Sequence, residues 1–199
     1  MLDGKKYRLS MTAAGLMPEA SVRIAEVYLA CRDWRETRRR LHSENLLQAN
    51  TSNSSQRVGR ELLERLKTLS DDELAVLVSA PMRSDRVAMV WVAACRYYDF
   101  LADFAVEVVR DAFLIGKKSI TYEDYDKFEL RTSAHHPELA EVSASTHGKI
   151  RQVVFRMLNE AGFFDDAKML IPAMLSPVLM RMLPESNFMF FPMYVKNRR

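Results

Sequence analysis

Apolar residues recur every three or four positions along most of this chain, and strict alternation of apolar and polar residues is almost absent before residue 187. Such spacing places apolar side chains on one face of an α-helix. The pattern predicts an all-α, compact multi-helix globular fold, to which the segment 187–195 can add a short extended tail, strand or wing. The predicted helices span residues 19–31, 34–43, 55–69, 71–80, 86–115, 122–133, 137–142 and 146–161.

Residues typical of helix ends bound these segments. The helix 86–115 is expected to be long and central, to bend near residues 99–103 and to end at Gly116. The expected N-terminal caps are Asp33, with Glu36 in a capping-box position, Ser84 or Asp85, Thr121, and, for the helix 146–161, Ser143, Ser145 or Thr146.

The length of 199 residues suits one globular body, and no Gly/Ser-rich linker divides it. We distinguish an N-terminal half, residues 1–115, from a C-terminal half, residues 116–199. In each half, a helix and a shorter second element precede a Ser/Thr-led helix with a basic outer face. This order is the outline of a helix-turn-helix, whose last helix presents its N-terminal side chains to the major groove. The sequence therefore predicts two helix-turn-helix-like units, over about residues 20–69 and 121–162.

In the first unit, a polar segment opens a helix that carries basic residues, just after an arginine-dense helix. Arginine can bind guanine with two hydrogen bonds, asparagine or glutamine can bind adenine, and a helix N-terminus can bind phosphate. The predicted contacts with double-stranded DNA are Asn50, Thr51, Ser52, Asn53, Ser55, Gln56, Arg57 and Arg60, with Arg35 and Arg39 on the preceding helix. An ordinary solvated helix is the alternative interpretation of the arginines.

The second unit presents a similar set of side chains on the helix 146–161 and in a basic loop before the unit. Its predicted DNA contacts are Lys117, Lys118, Ser145, Thr146, His147, Lys149, Gln152 and Arg156. For both units the alternative is a pair of ordinary capped surface helices, which any α-helical protein has.

Composition limits the classes of partner and compartment. The net charge is only +3, so the protein is not a polycation, and binding to nucleic acid depends on where the charges lie. Cys31 and Cys95 fall in apolar helical patterns and are interpreted as two reduced, buried thiols, which fits the cytoplasm. The first six residues lack the apolar core of a signal peptide.

Two apolar segments, 87–115 and 169–195, invite comparison with membrane spans. Charged residues interrupt the first, and four prolines divide the second into short pieces. Charges inside lipid are costly, so buried core is the better interpretation of both, and no membrane partner is expected.

Sequence motifs of known catalytic or nucleotide-binding loops are absent, so we expect no enzyme, cofactor or metal. Asp99, Asp103 and Glu107 follow one another at intervals of four residues, as metal ligands on a helix can. Arg96 and Arg110 lie close enough on the same helix to pair with them, so ion pairs are the favoured interpretation.

The chain resembles the BrxA family, the small component of BREX (bacteriophage exclusion) defence systems. The likeness is distributed over the chain. It is carried by Tyr7-Arg8-Leu9-Ser10, Asp33-Trp34, Asn45-Leu46-Leu47 with Thr51, Arg57, Arg60-Glu61-Leu62, Arg65-Leu66 with Leu69, and Leu158-Asn159-Glu160-Ala161-Gly162-Phe163-Phe164.

The resemblance implies an all-helical, non-enzymatic accessory protein of a multi-gene phage-defence locus that binds nucleic acid through helix-turn-helix elements. It also implies other BREX components as partners, and no catalytic residues. We expect a monomer or a weakly associating protein. The second hypothesis is a protein–protein adaptor that uses exposed Met and aromatic side chains of residues 188–194. Packing of these side chains on the core is the favoured interpretation of that segment.

Overall fold

The structure, a computed structural model, describes residues 6–43 and 52–194, with the backbone alone for 52–55. Within these residues the fold is all-α, as predicted; no strand forms there, and Phe164 and Leu170 make one isolated bridge. The α-helices are α1 (Pro18–Cys31), α2 (Trp34–Ser43), α3 (Ser52–Leu66), α4 (Asp71–Ser79), α5 (Arg83–Tyr97), α6 (Asp99–Phe104), α7 (Asp111–Leu114), α8 (Tyr122–Ser133), α9 (Pro137–Ala140), α10 (Ala144–Glu160) and α11 (Pro177–Met182). Two 3-10 helices, Ser10–Ala13 and Glu185–Phe190, and one π-helical turn, Ala105–Arg110, complete them.

Helix α5 forms the centre of the molecule. Every residue from Val87 to Cys95 is buried, and Trp91 is fully enclosed against Phe163. Helices α3, α4 and α6 pack around α5. The apolar run that invited comparison with a membrane span is therefore core, and among the described residues no helix is long and apolar enough to cross a membrane.

The prediction of a single long helix over 86–115 is wrong in two respects, the start of the helix and its continuity. It begins earlier, at Arg83, after Met82, which provides no side-chain cap; neither Ser84 nor Asp85 is the N-cap. It is also interrupted at Tyr98, whose extended backbone (φ −112°, ψ 98°) separates α5 from α6. The interruption lies just before the predicted bend, and the π-helical turn follows it. Gly116, with a φ of +73°, ends the segment as expected.

Helices α1, α2 and α3 pack on one another, and so do α8 and α9. These helices belong to the two predicted units, the second of which also contains α10, and the helix-turn-helix assignment of both units stays a prediction. The buried stripe predicted for α3 is confirmed by Leu62 and Leu66, and the stripe of α10 by Ile150 and Met157.

The segment 7–16, here called the N-terminal strap, runs across the molecule before α1. Tyr7 stacks on His136 at 3.7 Å, and its hydroxyl donates to Asp103 at 2.6 Å. Met11 and Leu16 are completely buried. The strap is thus part of the core, although its sequence gives no helical pattern.

The extended wing predicted over 187–195 is corrected by the structure up to residue 194. Residues Glu185–Phe190 form a 3-10 helix, and Phe188 and Phe191 are buried. The Trp91 indole N–H donates to the Phe190 carbonyl at 2.9 Å. Packing on the core, the favoured interpretation of these side chains, is confirmed for both phenylalanines.

Candidate nucleic-acid interface

The predicted contacts of the first unit are distributed over α2, α3 and the segment between them. Asn50 and Thr51 lie outside the described residues. Ser52, Asn53 and Ser55 belong to the first turn of α3, and Gln56, Arg57 and Arg60 follow as exposed residues of the same helix. The helical phase places Arg60 away from the buried Leu62 and Leu66, so its guanidinium faces solvent.

Helix α2 carries the two other arginines of this unit on its exposed side. Its cap is confirmed: Asp33 accepts the backbone N–H groups of Arg35 at 2.7 Å and Glu36 at 3.3 Å. Both carboxylate oxygens of Glu36 bind the Arg39 guanidinium instead of completing the capping box. Arg39 is therefore charge-compensated, whereas Arg35 is exposed at the first turn.

The second unit presents its predicted contacts along α10. Its N-cap is Ser143, which accepts the Thr146 N–H at 3.4 Å; of the three predicted candidates Ser143 is confirmed, and Ser145 and Thr146 are wrong. One residue further along, the His147 ring binds Glu129 at 2.9 Å. Ser145 is exposed and Thr146 half-buried in the first turn of α10.

Three basic or amide side chains lie on the solvent side of α10, as predicted: Lys149, Gln152 and Arg156. Lys149 has no ion-pair partner among residues 6–43 and 52–194, and Arg156 reaches Glu160 only at 4.0 Å. In the loop before α8, Lys117 pairs with Asp124 at 2.5 Å, while Lys118 is exposed. Within the described residues, Lys149 on α10 and Lys118 in the loop are therefore exposed without an ion-pair partner, whereas Lys117 is charge-compensated.

The N-termini of α3 and α10 differ electrostatically from those of the other long helices. Among the described helices of eight or more residues, only these two have no acidic residue in the first turn. By contrast, α4 begins with Asp71, Asp72 and Glu73. Acidic side chains compensate the partial positive charge of a helix N-terminus. In α3 and α10 no first-turn carboxylate offsets this partial positive charge, so these two N-termini favour the binding of an anion.

The N-terminal strap contacts both of these helices. On α3, Arg57 donates to the Thr12 hydroxyl at 3.0 Å, and Glu61 accepts from Ser10 at 3.1 Å. On α10, the Glu160 carboxylate accepts the Leu16 N–H at 2.5 Å. The two helices with the predicted contacts are thus held by one short segment of chain.

A buried charged network under α3 was not predicted from the sequence. Arg65 is 1% exposed and donates to the carbonyls of Gly15 at 2.5 Å and Ala14 at 3.0 Å. It also donates to the Tyr98 hydroxyl, which in turn donates to Glu61 at 2.6 Å. Burial, followed by the Glu61 hydrogen bond, raises the pKa of Tyr98 above its ordinary value, so it stays a donor. The sequence does indicate that Arg65 is buried, because Arg65 lies three residues after Leu62 and so falls on the apolar stripe of α3.

Two of the three acidic residues in the row on the central helices, Asp103 and Glu107, have partners other than those predicted. Asp103 accepts from Tyr7, and Glu107 pairs with Arg131 at 2.6 Å rather than with Arg110. Arg96 binds Glu73 instead. In the described part of the chain, no group of three His, Cys, Asp or Glu residues is arranged to hold a metal ion.

The family model of BrxA matches residues 5–187. The chain belongs to the BrxA family. The resemblance seen in the sequence is therefore confirmed, and the match to the family model extends over the strap, both predicted units and the central helices.

Curated relatives of the family agree at moderate identity. A BREX protein BrxA of Escherichia coli O9:H4 (strain HS) is 29% identical over 150 residues, which are 75% of this chain and 70% of that protein. A BREX protein BrxA of Bacillus cereus (strain H3081.97) is 26% identical over 133 residues, 67% of this chain and 66% of that protein.

The BrxA fold seen here also resembles a solved structure. The crystal structure of an uncharacterized protein from Magnetospirillum magneticum superposes with a TM-score of 0.77 and 24% sequence identity. The alignment covers 94% of this chain and 96% of the other. This likeness concerns the arrangement of helices alone.

Proposed function

We propose that this protein is a non-enzymatic accessory component of a BREX phage-defence system that binds double-stranded DNA through α3 and α10. Membership of the BrxA family supports the assignment to BREX, since its curated relatives are named BREX proteins. We further propose that it acts in the cytoplasm as a monomer and meets other components of the system there.

The observation that carries the DNA-binding proposal is the shared character of α3 and α10. Both begin without an acidic residue in the first turn, and both continue with exposed basic and amide side chains. A phosphate can bind such an N-terminus, while Lys149 in the second turn of α10, or Arg60 in the third turn of α3, can reach a neighbouring phosphate or a base. Neither side chain has an ion-pair partner in the described part of the chain that DNA would need to displace.

The charge balance sets the kind of binding to be expected. A net charge of +3 supports few phosphate contacts, and Arg39, Lys117 and His147 already bind carboxylates. Affinity should therefore be modest and should fall with salt, because each phosphate contact releases counterions. Sequence preference should also be modest, since few side chains can reach base edges.

The test is a fluorescence-anisotropy titration of a labelled duplex, repeated between about 50 and 200 mM salt. Wild type should bind at low salt with a negative salt slope. Arg60→Glu should weaken binding by about 1–3 kcal/mol, because Arg60 would contact a base or phosphate. The matched control is Arg181→Glu on α11, an exposed residue outside both units. Equal binding by the two folded variants would remove α3 from the interface.

The adaptor hypothesis has less support. Two of its proposed anchors, Phe188 and Phe191, are buried, although Met189 and Tyr194 are 37% and 69% exposed. Retention of a BREX component by the protein after nuclease treatment would favour an adaptor over a DNA-mediated association.

A further inference from the structure

A cleft of about 410 Å³ lies between the start of α8 and the solvent side of α10. Three segments line it: residues 120–122 before and at the start of α8, one side of α10, and a turn after α10. The side of α10 consists of Gln152, Phe155, Arg156 and Asn159, and the turn contributes Phe164 and Lys168. Clefts of this size commonly bind small ligands.

Aromatic rings form the apolar part of the cleft. Tyr122 is 47% exposed, and Phe155 and Phe164 are half-buried. The rings of Tyr122 and Phe155 meet edge to face, with centroids 4.7 Å apart and planes at 77°. The Arg151 guanidinium lies 4.6 Å from the Tyr122 ring centre, and Asp126 holds it at 2.7 Å. The position of Tyr122 is thus braced, while a large part of its surface stays accessible to a planar ligand.

Polar side chains surround these rings, and all of the charged ones are cationic. Gln152 and Asn159 provide amides, and Arg156 and Lys168 provide positive charges. No acidic residue is among the described residues that line the cleft. Lys168 Nζ lies 3.4 Å from the Asn159 side-chain oxygen, so the ammonium group stays beside α10. The cleft therefore combines faces for stacking, amides for hydrogen bonding and cations for an anion.

The backbone holds Lys168 at this place. Its φ of +61° is in the left-handed region, which L side chains rarely adopt. The preceding turn stabilises it: the Lys168 N–H donates to the Asp165 carbonyl at 3.0 Å, and the Met169 N–H to the Asp165 carboxylate at 2.8 Å. The ammonium group thus extends from a fixed backbone, not from a free loop.

We propose that this cleft binds a single nucleotide. The base stacks on the aromatic side chains, Gln152 and Asn159 bind its edge, and Arg156 and Lys168 bind its phosphate. Stacking on aromatic rings beside cations is how proteins bind unpaired nucleotides. The nucleotide is either free in solution or an unpaired member of a strand. Duplex binding offers no exposed base face, so this site goes beyond the proposed duplex contacts, although it shares Gln152 and Arg156 with them.

The experiment compares two labelled probes of equal charge, a thymidylate pentamer and a pentamer of abasic deoxyribose phosphate. Wild type should bind the thymidylate pentamer about 5- to 150-fold more tightly, the contribution of stacking one base. Tyr122→Ala should abolish that difference, whereas Tyr122→Phe, which keeps the ring, should retain it. The control is Tyr194→Ala, which removes a tyrosine 69% exposed outside the cleft.

Thermal unfolding of each variant checks the fold. Salt series measure the electrostatic contribution: replacing Arg156 and Lys168 together by Ala should reduce the slope for the single strand by about 0.7, the share of one phosphate contact. Competition by deoxythymidine monophosphate would identify a free nucleotide as a ligand. Pentamer binding that the monophosphate does not compete away would identify a nucleotide within a strand as the ligand. Equal affinity for both pentamers, no binding of either, or an unchanged preference in folded Tyr122→Ala would overturn the proposal, whatever the result with duplex DNA.

Discussion

Individual charged residues of this chain fall into two groups that the sequence does not separate. Arg96 donates to both Glu73 oxygens at 2.7 Å, to the Thr68 carbonyl at 2.9 Å and to Asn187. It therefore joins α4, α5 and the C-terminal segment, as Arg65 joins α3 to the strap. Other basic side chains, such as Arg60 and Lys149, face solvent. Periodicity identifies the exposed group, but the partners of the buried group come from distant parts of the chain.

The Glu73–Arg96 pair leads to a prediction about pH. Burial opposes ionisation of Glu73, but the Arg96 hydrogen bonds and the Ser70 N–H outweigh it and hold its pKa below the ordinary 4.5. A lowered pKa in the folded state contributes stability above the unfolded pKa, and this stability is lost as pH falls through the folded value. Glu73→Gln should therefore lower the free energy of unfolding by about 2–3 kcal/mol at pH 7.

Urea unfolding at a series of pH values measures this effect. The difference between wild type and Glu73→Gln should shrink as the pH falls below 4.5 and through the lowered pKa of Glu73 in the folded state, because a protonated Glu73 is neutral like glutamine. Glu123→Gln is the control, because Glu123 is 75% exposed and pairs with Lys127 at the surface. If the difference between wild type and Glu73→Gln stays constant with pH, loss of the Glu73–Arg96 pair does not contribute to the fall in stability at acidic pH.

At the scale of elements, periodicity and end signals predict α2, α4, α8 and α10 closely, because each has an apolar stripe or a strong cap. Thr121 and Ser70 each form a capping box, with Asp124 and Glu73 respectively. Three features could not be predicted in this way. At the interruption, the Tyr98 hydroxyl binds Glu61, 37 residues earlier in the chain. The strap has no regular period, and the 3-10 helix at 185–190 is hydrogen-bonded to the distant Trp91.

Of the candidate interface, the sequence predicts which side of α3 and α10 is exposed, since the buried stripes of the two helices are clear. It does not predict which basic residues already have partners. Arg39 and Lys117 are engaged by nearby carboxylates, and Arg57 by the distant Thr12. The cleft beside Tyr122 also needs the fold, because its residues come from three separate segments.

The strap gives a prediction at this scale. A Cβ at Gly15 would lie 2.6 Å from both Glu160 carboxylate oxygens, so the carboxylate must move, and we expect this movement to break its hydrogen bond with the Leu16 N–H. Gly15→Ala should destabilise the protein by about 1–2 kcal/mol, the cost of a buried donor without its acceptor. Chemical denaturation measures it. In a Glu160→Ala background the same change should cost clearly less, and equal costs in both backgrounds would mean that the strap is not anchored through Glu160.

At the scale of the whole molecule, a small net charge is combined with two helices whose N-termini and solvent sides favour anions. The strap is hydrogen-bonded to both helices, at Arg57 and Glu61 of α3 and at Glu160 of α10. If both helices contact the same duplex, their phosphate contacts should add in the salt dependence. If only one helix contacts the duplex, substitutions in both helices should remove only the phosphate contacts of that helix from the salt dependence.

The most direct measurement is the salt slope of duplex binding for the double variant Arg60→Ala with Lys149→Ala. Its control is Lys127→Ala with Arg181→Ala, which removes the same charge from other exposed positions. If both α3 and α10 contact phosphate, the first variant should flatten the slope by about two units relative to the control. Equal slopes for the two folded double variants would contradict DNA binding through α3 and α10.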